Sequence, residues 1–358
     1  MKKENEQKHK RLLVMAGGTG GHVFSGLAVA NELQQEGWEI RWLGTADRIE
    51  ADLVPKYGIE IDFIEVKRLR GAGFKRKLFA PLMVINAVCQ AKKHIRNWKP
   101  NAVLGMGGYV SGPGGLAAWL TGIPVVLHEQ NAVAGLTNKW LAKIAQCVLQ
   151  AFSGAFPNQE VVGNPVRKAV CGLPAPSEVH RDAIDPLKVL VMGGSQGACI
   201  LNRTVPDALA QLNRDVVVRH QAGKDNQADT VERYLKANVK HVEVIEFIDD
   251  VAEAYGWVDI LICRSGALTV SEVAAAGVAA IFVPFKHKDR QQTLNANYLV
   301  KNGAAIMIEE SELSAKKLAQ TLEILDFSSL IGMAKAARSA AITDAAIRVA
   351  TVIKDVAR

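Results

Sequence analysis

Several things this 358-residue chain lacks narrow what it can be. Its five cysteines, at 89, 147, 171, 199 and 263, form no C-x-x-C pair, so the sequence offers neither a disulfide framework nor a zinc site. The opening "MKKENEQKHK" is charged and has no apolar core of the kind a secretory signal needs, so the chain is expected to stay in the cytosol. The single uncharged run long enough to test as a membrane span, residues 102–127, contains seven glycines and two prolines. It reads as strand, loop, helix and strand rather than a span. No P-loop signature occurs, and the dinucleotide frame G-x-G-x-x-G fails at Val23 in one glycine loop and at Gln196 and Cys199 in another, which disfavours a nicotinamide or flavin oxidoreductase.

What is present is a repeated unit. "RLLVMA" has the length of a buried strand, "GGTGGH" follows it, and "VFSGLAVANELQQEG" has apolar residues at helical spacing. "KVLVMGGSQGACILN", residues 188–202, restates the pattern. The later segments "AVLGMGGYVSGPGGLAAWLTGIPVVLHEQN" and "DILICRSGALTVSEVAAAGVAAIFVPF" also match each other as strand, glycine loop, helix and strand. Strands alternating with helices imply parallel sheets, and a restarted glycine loop implies a second doubly wound domain. The expected fold is α/β, with two Rossmann-like doubly wound parallel-sheet domains. The first is placed at 11–165 and the second at 166–344, with their boundary in the proline-rich stretch 161–188.

The net charge of +7 is concentrated. Between Ile64 and Lys99 stand ten Lys and Arg against one acid, Glu65, a local +9 interleaved with Leu69, Phe74, Leu78, Phe79, Leu82, Met83, Val84 and Ile85. Cations around a greasy segment fit docking to an anionic membrane surface. The alternative is a solvated basic helix packed on its own domain. A nucleic-acid groove is disfavoured, because stacking aromatics are few and no nucleic-acid motif accompanies them.

In open α/β sheets ligands bind beyond the carboxyl ends of the strands. The polar residues there are His22; Tyr109; His128, Glu129, Gln130 and Asn131; Ser195 and Gln196; Arg264 and Ser265; the run Ala267, Leu268, Thr269, Val270, Ser271 and Glu272; and His287 to Gln292. A helix opening at "GALT" would offer its N-terminal amides to phosphates, and Glu272, one turn in, could accept from ribose hydroxyls. His22 opens a helix, where the dipole disfavours its charged form, so a neutral, proton-accepting imidazole is expected.

Taken in order, "GGTGGH", "GMGGYVSGPGGLAAW", "HEQN", "GNPVR", "GGSQGA", "CRSGALTVSE" and "PFKHKDRQQ" resemble the MurG family, the family 28 glycosyltransferases of bacterial peptidoglycan synthesis. The resemblance runs from about Arg11 almost to the C-terminus. It implies the GT-B fold, two domains facing a central cleft, with the last helix, about 345–358, returning to the first. It also implies UDP-N-acetylglucosamine as donor, undecaprenyl-linked lipid I as acceptor and lipid II as product, made at the cytoplasmic face of the inner membrane. That location would bring the enzyme near other cell-wall synthesis proteins; no nucleic acid is involved.

Carried over residue by residue, the resemblance sets the diphosphate against Ser195, Arg167 and the helix start at Ala267, Leu268 and Thr269. The uracil lies near Ile248, the ribose on Glu272 beside Val270 and Ser271, and the sugar near Asn131 and Gln292, with Gln291 also binding substrate. Thr19, Gly20, Gly21 and Tyr109 belong to the acceptor half. Neither cofactor nor metal is implied, and no D-x-D occurs. The muramoyl 4-hydroxyl would attack the anomeric carbon in one inverting displacement, with His22 or Glu129 as the general base. The chain departs from the family pattern at Ser25, where proline is usual, at Cys199, where arginine is common, and at "GVAA", residues 277–280. Without proline at 25, a looser start to the helix carrying His22 is expected.

Overall fold

The computed structural model describes residues 9–66, 80–176, 185–194 and 197–358. The chain divides into two compact units, one holding the residues up to Pro165 together with Asp344–Arg358, the other Val166–Thr343. In the first, β1 (Arg11–Met15), β2 (Glu39–Gly44), β3 (Glu60–Phe63), β4 (Ala102–Gly105), β5 (Val125–Glu129), β6 (Cys147–Gln150) and β7 (Glu160–Val161) form a sheet in the order β3-β2-β1-β4-β5-β6-β7. In the second, β8 (Leu187–Met192), β9 (Val216–Gln221), β10 (Val242–Ile245), β11 (Ile260–Cys263), β12 (Ala279–Phe282) and β13 (Ala305–Met307) run β10-β9-β8-β11-β12-β13. Neighbours are paired parallel in both sheets. Each is the doubly wound order of a Rossmann-like domain, with one edge strand added in the first.

The strands owe their position to apolar residues on both faces. In β1, Leu12 and Val14 enter one core and Leu13 and Met15 enter the other, the period of two that a sheet imposes. Helices cover both cores. On one side the helix Ala345–Val356 supplies Val349, Ala350 and Ile353, and its Lys354 pairs with Glu36 at 2.8 Å, so the last segment of chain completes the first unit. On the other side Val88, Ala91 and Ile95 come from the helix Ala80–Trp98.

The helix Gly20–Gln35 buries Val23, Leu27, Ala30 and Leu33 at helical spacing. At Gly26 a Cβ would sit 2.7 Å from the Trp42 indole, so only glycine lets this helix lie so close to the sheet. Trp42 in turn donates from Nε1 to the Ala16 carbonyl at 2.8 Å, fixing the point where β1 gives way to its glycine loop. Ser25 lies wholly buried in the second turn of this helix, not at its start, so the expected loosening of a helix-initiating turn does not apply.

Residues 102–127 form β4, the helix Ser111–Leu120 and the beginning of β5. Among the described residues no helix is long and apolar enough to cross a membrane.

Candidate active site

Strand order reverses between β1 and β4 in one sheet and between β8 and β11 in the other, and such reversals open a crevice beyond the strand ends. The glycine motifs follow these strands.

In the first unit the loop after β1 is clamped from beneath. Glu50, fully buried on the short helix Ile49–Leu53, accepts from Gly18 N–H at 3.0 Å through one oxygen. Its other oxygen accepts from Thr45 N–H at 3.2 Å and from the Thr45 hydroxyl at 2.8 Å. A third element closes in from the side. At Gly108, whose φ is +84°, a Cβ would lie 2.3 Å from the Gly17 carbonyl oxygen, so the β1 and β4 loops touch backbone to backbone. The Ser111 hydroxyl lies 2.8 Å from the Met15 carbonyl and 2.7 Å from the Gly107 carbonyl, tying the same loops together. Sequence reasoning passed over Glu50. The available signal was an acid on the same face as buried Val54, four residues on, where an apolar residue belongs.

On this platform stands His22, half-buried at the third position of its helix. Its Nδ1 is 3.2 Å from the Gly17 carbonyl. A carbonyl only accepts, so Nδ1 carries the proton and Nε2 keeps a lone pair. Burial is the main influence and lowers the imidazole pKa below its ordinary value; the Gly17 hydrogen bond and the Glu129 and Glu50 carboxylates oppose it. The neutral form expected from the helix dipole is therefore secured chiefly by desolvation.

The "HEQN" residues end β5. Buried His128 donates from Nε2 to the Gly163 carbonyl at 2.9 Å, and burial lowers its pKa to about 4. Glu129, 2% exposed, is saturated. One oxygen accepts from Asn131 N–H at 3.0 Å and Asn131 Nδ2 at 3.1 Å; the other accepts from Gly135 N–H at 3.1 Å and Asn138 Nδ2 at 2.8 Å. Four donors on a buried carboxylate hold Asn131 and the start of the helix Leu136–Leu141. Thr19 is exposed and precedes Gly20 and Gly21 at the head of the His22 helix, and Tyr109 is exposed beside Gly18.

In the second unit the helix Ala267–Ala276 begins after Gly266 with no side-chain cap and no acid in its first turn, the arrangement that suits an anion. Glu272 lies buried one turn in. Arg167 donates to one of its oxygens through Nε at 3.1 Å and a terminal nitrogen at 2.7 Å, and Tyr255 donates to the other at 3.2 Å. Arginine and glutamate, expected on different parts of the donor, thus form one pair, with the glutamate buried and the arginine partly exposed. Gln291 opens the helix Gln291–Val300, and Gln292 accepts from Phe285 N–H at 2.8 Å. Ile248 lies buried in the connection after β10. Ser195 lies outside the described residues.

Two Rossmann-like parallel-sheet domains, each with a glycine-rich loop behind its first strand, make up the GT-B fold of glycosyltransferases. A calicheamicin glycosyltransferase shares the fold at a TM-score of 0.71 and 15% identity, over 97% of this chain and 98% of that one. Within that class the chain belongs to glycosyltransferase family 28, whose N-terminal domain matches residues 12–150 and whose C-terminal domain matches residues 188–349. A relative from Aliivibrio salmonicida (strain LFI1238), named UDP-N-acetylglucosamine--N-acetylmuramyl-(pentapeptide) pyrophosphoryl-undecaprenol N-acetylglucosamine transferase, is 65% identical over 353 residues, covering 99% of this chain and 100% of its own length. The crystal structure of Acinetobacter baumannii MurG superimposes with a TM-score of 0.84 at 41% identity, over 97% of this chain and 99% of that one.

Proposed function

We propose that this protein transfers N-acetylglucosamine from UDP-N-acetylglucosamine to the 4-hydroxyl of lipid I, giving lipid II for the bacterial cell wall. Residues 11–165 with the terminal helix 345–358 serve the acceptor, and 166–344 bind the donor. One observation carries the chemistry: an imidazole held neutral, its Nδ1–H spent on the Gly17 carbonyl, with Nε2 left to accept a proton.

As the acceptor's 4-hydroxyl attacks the anomeric carbon, its proton passes to His22 Nε2. The bond to UDP breaks with its electron pair on the diphosphate, and an α-linked donor becomes a β-linked product. The departing charge is met by the amides at the start of Ala267–Ala276, by Arg167 and by Ser195. Glu272 positions Arg167 and takes the ribose hydroxyls, and Ile248 borders the uracil. Asn131, Gln291 and Gln292 hold the sugar. Thr19, Gly20 and Gly21 offer the pyrophosphate a backbone surface, with Tyr109 alongside. Glu129 keeps Asn131 in place rather than taking the proton.

The acceptor's undecaprenyl chain stays in the bilayer, so the enzyme works at its cytoplasmic surface as a peripheral protein. Leu82 and Ile85, 62% and 57% exposed on the helix Ala80–Trp98, suit that surface, as do the cations of the segment 64–99. Those at 67, 68, 70, 75, 76 and 77 lie outside the described residues, as do Leu69, Phe74, Leu78 and Phe79.

The test is UDP release from UDP-N-acetylglucosamine with a soluble lipid I analogue, and the anomeric configuration of the product. Release that requires the acceptor and yields a β-linked disaccharide is expected. Release without an acceptor, or an α-linked product, contradicts the assignment.

A further inference from the structure

Gln130 is 2% exposed, and its two amide atoms fare differently. Nε2 donates to the Met106 carbonyl at 2.5 Å. That contact fixes the amide, since the reverse orientation would set two carbonyl oxygens face to face. Oε1 is therefore turned elsewhere, and no donor of the described residues reaches it. A buried acceptor left without a donor is uncommon and asks for an explanation.

The direction of Oε1 supplies one. Gly107, φ +93°, stands in the loop after β4 at the point where strand order reverses. A Cβ built there would lie 3.1 Å from His22 Nε2 and 3.5 Å from Gln130 Oε1. Two acceptors thus border one bare patch of backbone: the imidazole nitrogen assigned to the reacting hydroxyl, and an amide oxygen. The patch calls for a ligand with two hydroxyl donors close together on one face, such as a pair set 1,3 to each other.

A muramoyl ring has them in only one arrangement. Its O3 is an ether, so the hydroxyl flanking the attacking 4-hydroxyl is the one on C6. We propose that Gln130 Oε1 accepts a hydrogen bond from the 6-hydroxyl of the acceptor sugar while the 4-hydroxyl donates to His22 Nε2, so that Gln130 selects the acceptor and aims its attacking oxygen. This rests on the transfer reaction assigned above. It makes Gln130 a binding residue whose partner is absent from any acceptor lacking that hydroxyl.

The experiment compares a soluble muramoyl acceptor with its 6-deoxy counterpart on the unmodified enzyme and on Gln130→Met. The unmodified enzyme should lose roughly 10- to 100-fold in kcat/KM on the 6-deoxy acceptor, as expected when a buried polar group loses its partner. Gln130→Met should lower kcat/KM for the natural acceptor to a similar level and abolish the difference between the two. Gln130→Asn, which withdraws the same amide by one methylene, should also lose the discrimination and serves if the methionine variant does not fold. Equal use of both acceptors by the unmodified enzyme overturns the assignment, as does a variant that is slower yet still discriminates, since that is how a purely structural glutamine behaves. If the natural acceptor itself receives no N-acetylglucosamine, it is the transfer reaction that fails and not the role of Gln130.

Discussion

Replacing Glu50 separates holding the glycine loop from merely filling space. In the native protein one carboxylate oxygen serves Gly18 N–H and the other serves both donors of Thr45. A glutamine in the same place has one oxygen left, and the two Thr45 donors hold it best, so its NH₂ faces the Gly18 N–H. One part-buried amide loses its acceptor, which costs about 1–3 kcal/mol. Alanine strands the amides of both Gly18 and Thr45, for about 2–5 kcal/mol. With a shift of roughly 2–4 °C per kcal/mol for a domain of this size, the first unit's melting transition should fall by about 2–12 °C in Glu50→Gln and further in Glu50→Ala. The glutamine variant is the more telling, because its damage is confined to the loop whose Gly17 carbonyl orients His22. Its kcat should fall with little change in UDP affinity. Calorimetry and steady-state UDP release read both effects, and Glu50→Gln with native melting and native kcat would refute the clamp.

Other outcomes follow from the structure and, for the basic segment, from the sequence. Arg167→Ala should weaken UDP binding by about 1.5–3 kcal/mol and uridine binding by less, measured calorimetrically; equal losses would show that the arginine does not meet the diphosphate. Changing Lys75, Arg76 and Lys77 to glutamate should reduce sedimentation with phosphatidylglycerol vesicles, most strongly at low salt, while sparing turnover of a water-soluble acceptor. Native vesicle binding would leave those cations a solvated face. His220, buried between the Tyr234 hydroxyl at 2.8 Å and Asn202 Oδ1 at 3.0 Å, has its pKa lowered by burial to about 3. Between that value and an unfolded value near 6.5 the unfolded chain binds a proton that the folded chain refuses. Stability should therefore fall as pH drops below about 6.5, by up to about 1.4 kcal/mol per pH unit from this residue, and His220→Gln should flatten the slope in urea titrations.

Much of this architecture was legible because parallel strands write themselves as apolar runs. "RLLVM", "AVLG", "VVLHE" and "ILIC" are β1, β4, β5 and β11, and the glycine clusters follow β1, β4 and β8, at the strand ends where open α/β sheets take ligands. His22 stood out because an ionisable ring beside four glycines has few structural uses. The supports did not stand out. Glu50 reaches Gly18 across 32 positions of sequence, and no local spacing records that contact. The Arg167–Glu272 pair joins residues 105 apart, so each could be assigned a ligand but not each other. The surroundings of the two candidate bases are equally unwritten in the sequence: four donors occupy the Glu129 carboxylate, whereas the His22 imidazole meets the Gly17 carbonyl through Nδ1. The orphaned oxygen of Gln130 likewise depends on which way an amide faces, which no sequence pattern states.

The most direct test of the account is the turnover of His22→Ala in UDP release with a soluble lipid I analogue, read beside its affinity for UDP. Loss of a general base predicts a fall in kcat of roughly 10²- to 10⁴-fold with UDP affinity nearly unchanged. Near-normal turnover in that variant, with Glu129→Ala inactive but folded, would contradict the account and move the proton to the carboxylate.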